Sequence, residues 1–385
     1  MTHMPIAPPE PAGARSGNDG WPRLVDADIH HGPLSLGELA PYLSQTYRTR
    51  LLDYGLGGLG SGYSENGGLR GWRADVLADE VPQRPPAGGP VAWDLAAVQR
   101  QLLDECGVDV AVLTGATVYR TSSMPDLDYA SALCRAFNEW TRDQWLEPEP
   151  RLRFCMSICT QDPAGAVAEI DRFGPDPRVV AVLMPSGALR PFGHRFYHPI
   201  YEACVRNDLA VAVHFGSEGG GINPPISAAG FPTYYIESRL LRPSFYQVHL
   251  ASFVFEGVFV RFPTLRVAML ESGFTWLPAY LWRMDLDWKG LRRQTPWVDR
   301  LPSEYVVEHV RLASQPLDEP EEPGALDALL RWSTAERTLM FASDYPHWDW
   351  DDPRQVFKGL RGRLRRRIFA ENAAEVFGLV RAAVP

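Results

Sequence analysis

The sequence predicts a TIM-type (β/α)8 barrel, an α/β fold with a long insertion between its first strand and first helix. Three observations predict it. Eight short runs rich in Val, Leu, Ile and Ala carry little charge inside, as strands buried on both faces require. Amphipathic stretches of helical period lie between them. No glycine fingerprint follows the first run, which weighs against a doubly wound open sheet.

The runs are 23–30, 108–114, 151–158, 179–184, 210–215, 266–271, 310–314 and 338–343. The stretch 95–106 spaces Leu95, Val98, Leu102 and Leu103 at helical intervals, and 129–145, 164–173, 197–207 and 326–332 behave likewise. Segments 248–262 and 274–287 are more apolar and are expected to be more buried. Two segments break the rhythm. Residues 54–90 are loaded with Gly and Pro and read as a lid, a binding loop or a tolerated surface insertion. Residues 216–235 follow the fifth run and would lie at the C-terminal mouth of the barrel. The expected organisation is a flexible tail over 1–20 and one barrel over 21–385.

Composition narrows the function classes. There are 38 Lys and Arg against 47 Asp and Glu, a net charge of −9, so a basic face for sequence-independent nucleic-acid binding is not expected. No apolar run approaches the roughly 18 residues of a membrane span, and the first twenty residues lack the pattern of a signal peptide. The expected location is the cytoplasm. The five cysteines are scattered without a CxxC, so neither a disulfide framework nor a cysteine zinc site is signalled.

The chemistry collects where the predicted strands end. Strand one closes with Asp26-Ala27-Asp28-Ile29-His30, strand five with His214, strand six with Glu271 and strand eight with Asp344. Side chains two apart on a strand share a face, so Asp28 and His30 would both point into the mouth while His31 points away. Two imidazoles and two carboxylates at matching strand ends suit one divalent ion, zinc first and manganese second. Core packing or strand-end hydrogen bonding is the competing reading for each residue taken singly.

The segments VDADIHHGP, VHFG, GVFVRFPTLRVAMLESGFTWLPAYLWRMDLDW, MFASDYPHWDWDDP and ENAAEVFGL together resemble the amidohydrolase superfamily. The likeness is to the group of aminocarboxymuconate semialdehyde decarboxylase and related aromatic decarboxylases. It implies an amidohydrolase-like barrel with one metal held by Asp28, His30, His214 and Asp344, the last also moving a proton. Binuclear members carry a Lys after strand four; this chain has Val182-Leu183-Met184-Pro185 there, which implies a mononuclear site. The decarboxylases place a His after strand six, where this chain has Glu271. The resemblance also suggests a homodimer.

Glu271 is therefore read as general base or additional ligand. His249 is a candidate catalytic residue that could orient substrate, against a helix-start histidine bonded to backbone. Phe215, Arg239, Trp276, His347 and Trp348 are candidate contacts for a small, flat or hydrophobic substrate, with Arg283 a weaker carboxylate clamp. The first expectation is non-oxidative decarboxylation of a small aromatic or unsaturated carboxylic acid. Metal-dependent hydrolysis of an ester, lactone or amide with Glu271 as base is the second. A non-catalytic binding barrel is the third.

Overall fold

The computed structural model describes residues 22–56, 94–115, 117–347 and 349–379. The tail 1–20, most of the insertion 54–90 and Trp348 lie outside the described residues.

All eight predicted strands form, and they pair in parallel in sequence order. They are β1 (Val25–Ile29), β2 (Val110–Leu113), β3 (Leu152–Ser157), β4 (Val179–Pro185), β5 (Ala210–His214), β6 (Val267–Leu270), β7 (Val310–Ala313) and β8 (Leu339–Met340). The first and last strands meet beyond their ladders: Ala27 N donates to Phe341 O at 3.1 Å, and Asp344 N to Asp28 O at 3.1 Å. His30 N donates to Tyr345 O at 2.8 Å. The barrel closes there. Most strands are shorter than their apolar runs because the last residues leave the ladder and turn into the mouth.

The strands divide between two apolar clusters. Ala181, Ala210, Ala212, Ala268 and Ala342 share one with Val112, Leu183 and Leu270. Their alternation partners Val182, Val211, Val213, Val267 and Met269 pack with the surrounding helices in the other. Burial on both sides explains why these runs carry no polar stripe.

The helices depart further from expectation. The stretch 95–106 begins as an α-helix (Leu95–Ala97) and continues in π-helical turns over Val98–Asp104, with Glu105 N donating to Arg100 O at 3.0 Å. The same change follows the helix Leu127–Thr141, at Arg142–Leu146. Each inserts a residue that the 3.6-residue period does not carry. The segment expected at 248–262 starts earlier, as Arg242–Phe255, and breaks at Gly257 before Val258–Arg261. Gly257 has φ +75°, the left-handed conformation that suits glycine. Between β1 and residue 57 lie a 3-10 segment (Leu36–Tyr42) and a helix (Gln45–Tyr54) that the sequence pattern did not mark. Among the described residues no helix is long and apolar enough to cross a membrane.

Candidate metal centre

At the C-terminal mouth, Asp28, His30 and His214 present ligand atoms within 4.8 Å of one another. So do His30, Glu271, Asp344 and His347, and His30 belongs to both sets. Nε2 of His214 lies 3.2 Å from Asp28 Oδ2 and 3.9 Å from Glu271 Oε1. Nε2 of His30 lies 2.7 Å from Asp344 Oδ1, 3.7 Å from Glu271 Oε1 and 3.8 Å from Asp28 Oδ1. All four ligands expected from the sequence thus face one small volume.

Local structure aims each of them. Asp28 is held by Thr114, whose hydroxyl donates to Asp28 Oδ1 at 2.7 Å. His30 Nδ1–H donates to Gly115 O at 2.7 Å and His214 Nδ1–H to Phe215 O at 2.6 Å. A carbonyl can only accept, so these bonds fix the tautomers and turn both Nε2 atoms to the centre. Tyr119 stacks on His214 with ring centroids 4.9 Å apart, and its hydroxyl donates to Gly115 O at 2.7 Å.

Glu271 needs a special backbone. Regular alternation after Leu270 would carry residue 271 to the face of Met269, which packs against the helices. Glu271 instead adopts φ +48°, and its carboxylate returns to the mouth. Asp344 is also left-handed, with φ +60°. Such backbone is costly for residues with a Cβ and clusters at functional sites.

The electrostatics are those of a cation site. Burial would raise Asp28, but the charges of His214 and His30 hold it below the usual carboxylate range. Burial would depress His30, yet its bond to Asp344 and the charges of Asp28, Asp344 and Glu271 hold it up to about 10. His214 is raised too, with Asp28 and Glu271 outweighing burial. Burial raises Asp344. Three carboxylates face one fixed cation, Arg242, whose Nη1 is 3.0 Å from Glu271 Oε2. With both imidazoles neutral, as metal ligation requires, two negative charges remain for a divalent ion to offset. Asp28 Oδ2 and His214 Nε2 are buried, and neither makes a hydrogen bond. Buried polar atoms normally have partners, and these two, beside Glu271 Oε1, fit the donor set of a bound metal.

The amidohydrolase profile matches residues 26–379. The chain belongs to the amidohydrolase family. As a member of that superfamily it is a metal-dependent enzyme. An amidohydrolase from Mycobacterium avium subsp. paratuberculosis matches at TM-score 0.68 and 20% identity over 92% of this chain and 99% of that one. A 5-carboxyvanillate decarboxylase from Novosphingobium aromaticivorans, with bound manganese and 3-methoxy-4-hydroxy-5-nitrobenzoic acid, matches at TM-score 0.65 and 18% identity over 94% and 99%. A dihydroxybenzoic acid decarboxylase from Polaromonas, with bound manganese and 2-nitroresorcinol, matches at TM-score 0.63 and 16% identity over 93% and 98%. No curated protein matches the sequence.

In this amidohydrolase the remaining expected residues fall in different places. His347 joins the cluster, with Nδ1 2.5 Å from Asp344 Oδ1 and 3.4 Å from Glu271 Oε1. Burial, with the charge of His30, pushes it down to about 3. His31 faces away as expected, among Trp140, Trp145, Phe137 and Phe154. His249 is not brought to the centre. It lies in the second turn of its helix, stacked on Phe192, with Nδ1 accepting from Phe192 N at 3.2 Å and Nε2–H donating to Ser186 O at 2.9 Å. Both ring nitrogens are spent on backbone. Arg239 pairs with Asp349, and Trp276 donates to Ser272 O at 3.0 Å. Arg283 lies on the surface beside Asp287. Phe215 is half-buried beneath the Arg242 guanidinium, 4.4 Å from its ring centroid.

Sequence reasoning missed Thr114, Tyr119 and Arg242. Thr114 was readable as the polar residue that closes strand two. Arg242 carries no local signal that separates it from Arg239.

Proposed function

We propose that this chain is a mononuclear metal-dependent decarboxylase of a small aromatic or unsaturated carboxylic acid. The observation that carries it is the pair of buried, hydrogen-bond-free atoms Asp28 Oδ2 and His214 Nε2, converging with His30 Nε2, Glu271 Oε1 and Asp344 Oδ1. The manganese and nitroaromatic ligands of the two decarboxylase neighbours support the reaction class.

Asp28, His30, His214 and Asp344 would hold the ion, with Glu271 as a fifth ligand. The third carboxylate makes the donor set harder than two imidazoles and two carboxylates, which favours manganese over zinc. Bound there, the ion would supply Lewis acidity toward an oxygen of the substrate. The chain's residues do the rest. Gly115 O and Phe215 O fix the two imidazoles. Asp344 and His347 form the pair that can hold the proton for the substrate carbon, as the C–C bond breaks and carbon dioxide leaves. His347 reaches furthest toward solvent, with its side chain 20% exposed. The same reading includes a homodimer, for which exposed Val248 and Val260 on the two helices before β6 offer apolar surface; light scattering tests it.

Metal content by elemental mass spectrometry on wild type and Asp344→Ala tests the site. About one ion per wild-type chain, sharply reduced in the variant, is expected. A wild type that stays metal-free after exposure to manganese and zinc refutes the reading. Carbon dioxide release from a panel of aromatic acids tests the reaction. Hydrolysis is the second reading, favoured by Glu271 at a position where a base can act. Incorporation of ¹⁸O from water into product would establish it instead.

A further inference from the structure

Arg242 opens the helix Arg242–Phe255 and is only 6% exposed. Its Nη1 faces Glu271 Oε2 at 3.0 Å, and the guanidinium lies over the Phe215 ring, 4.4 Å from its centroid. Nε and Nη1 are both buried without a hydrogen bond. A guanidinium has five N–H donors, and burying them unsatisfied is costly. A role as counter-ion to Glu271 accounts for the charge and for the placement of Nη1. It leaves the buried Nε–H, which lies parallel to Nη2 on the opposite side of the fork, without a hydrogen bond. Arg239 shows the contrast, since Asp349 already neutralises it.

We infer that Arg242 is the residue that recognises a carboxylate on the substrate. The planar oxyanion docks side-on against Nε–H and Nη2, while Nη1 keeps its place at Glu271. Two parallel charge-assisted bonds match a carboxylate in geometry as well as charge. Phe215 behind the guanidinium holds its plane, and Glu271 links it to the metal centre. The substrate is then an anion whose carboxylate lies one guanidinium away from the metal ligands. The inference rests on the metal-enzyme reading above and names how that site selects acids over neutral analogues.

Titration calorimetry on the metal-loaded enzyme tests it with benzoate and with benzamide, a neutral probe of the same shape. Metal content is measured in parallel on wild type, Arg242→Met and Arg242→Lys. Benzoate affinity should fall about tenfold or more in Arg242→Met, with benzamide affinity unchanged. Arg242→Lys keeps the charge without the fork and should lose several-fold for benzoate alone. Benzoate affinity within twofold of wild type in either variant overturns the inference, as does an equal loss for both probes. If Arg242→Met does not fold, the Lys variant decides on the same criteria. Failure of wild type to hold metal counts against the metal reading alone, because the ratio of benzoate to benzamide affinity still reports on Arg242.

Discussion

In the proposed reaction Glu271 holds the pivotal place. One oxygen meets Arg242 and the other faces His30, His214 and His347. Glu271→Gln keeps the shape and removes a negative charge from the centre. Turnover is expected to drop by about 10²-fold or more, in steady-state assays at fixed metal loading. Near wild-type turnover would remove Glu271 from the machinery. His249 supports a prediction of another kind. Burial pushes its imidazole down to about 4 from the ordinary value of 6.5 against the opposing pull of Ser186 O, and Nδ1 accepts from Phe192 N, which only the neutral ring can do. Below pH 6.5 the unfolded chain takes up a proton that the folded chain refuses, so stability falls from pH 6.5 toward pH 4. The full loss is about 3 kcal/mol at 1.36 kcal/mol per unit. Denaturant titrations should show that His249→Gln flattens this acid limb; an unchanged slope would contradict the assignment. The residues proposed as metal ligands were legible at this scale because an Asp or His closing an apolar run is conspicuous. Arg242 was not, since its meaning comes from contacts with Phe215 and Glu271, 27 and 29 residues away in sequence.

Strands were easier to read than helices, for a physical reason. A strand buried on both faces has no choice but an apolar run, and 179–184 or 210–215 admit no other assignment. Gln45–Tyr54 buries only Leu51, so no stripe marks it. The π-helical turns shift the buried face without changing composition. The loops after the strands are held by close backbone approach. A Cβ on Gly187 would meet Ser217 C and O at 2.3 and 2.4 Å and Glu218 N at 2.5 Å. Gly187 N also donates to Gly216 O at 2.9 Å. Gly187→Ala therefore presses on the loop that continues from His214 and Phe215. A loss of about 1–3 kcal/mol in chemical unfolding is expected, with weaker metal retention. Wild-type values for both would show that the loop yields freely.

Across the whole molecule, the barrel gathers in one mouth residues that the chain scatters over more than 300 positions. Eight apolar runs, the helical stretches between them and the absence of a glycine fingerprint were enough to expect it. The functional departure, Glu271 at the end of β6, was equally visible as a letter. Its inward aim was not, because it depends on a left-handed φ that no composition reports.

The backbone bonds between β1 and β8 would give the proposed metal centre a second task. Asp28 and His30 stand on one side of the seam and Asp344 on the other, with Asp344 N bonded to Asp28 O and His30 N to Tyr345 O. β8 itself pairs over only two residues, so the ladder contributes little there. An ion gripped from both sides would act as a clasp between the start and the end of the fold. Chelation should then do more than silence chemistry. Amide exchange at His30 and Asp344 should quicken far more than at β4 and β5 on the opposite wall if the proposed ion also buttons the cylinder shut.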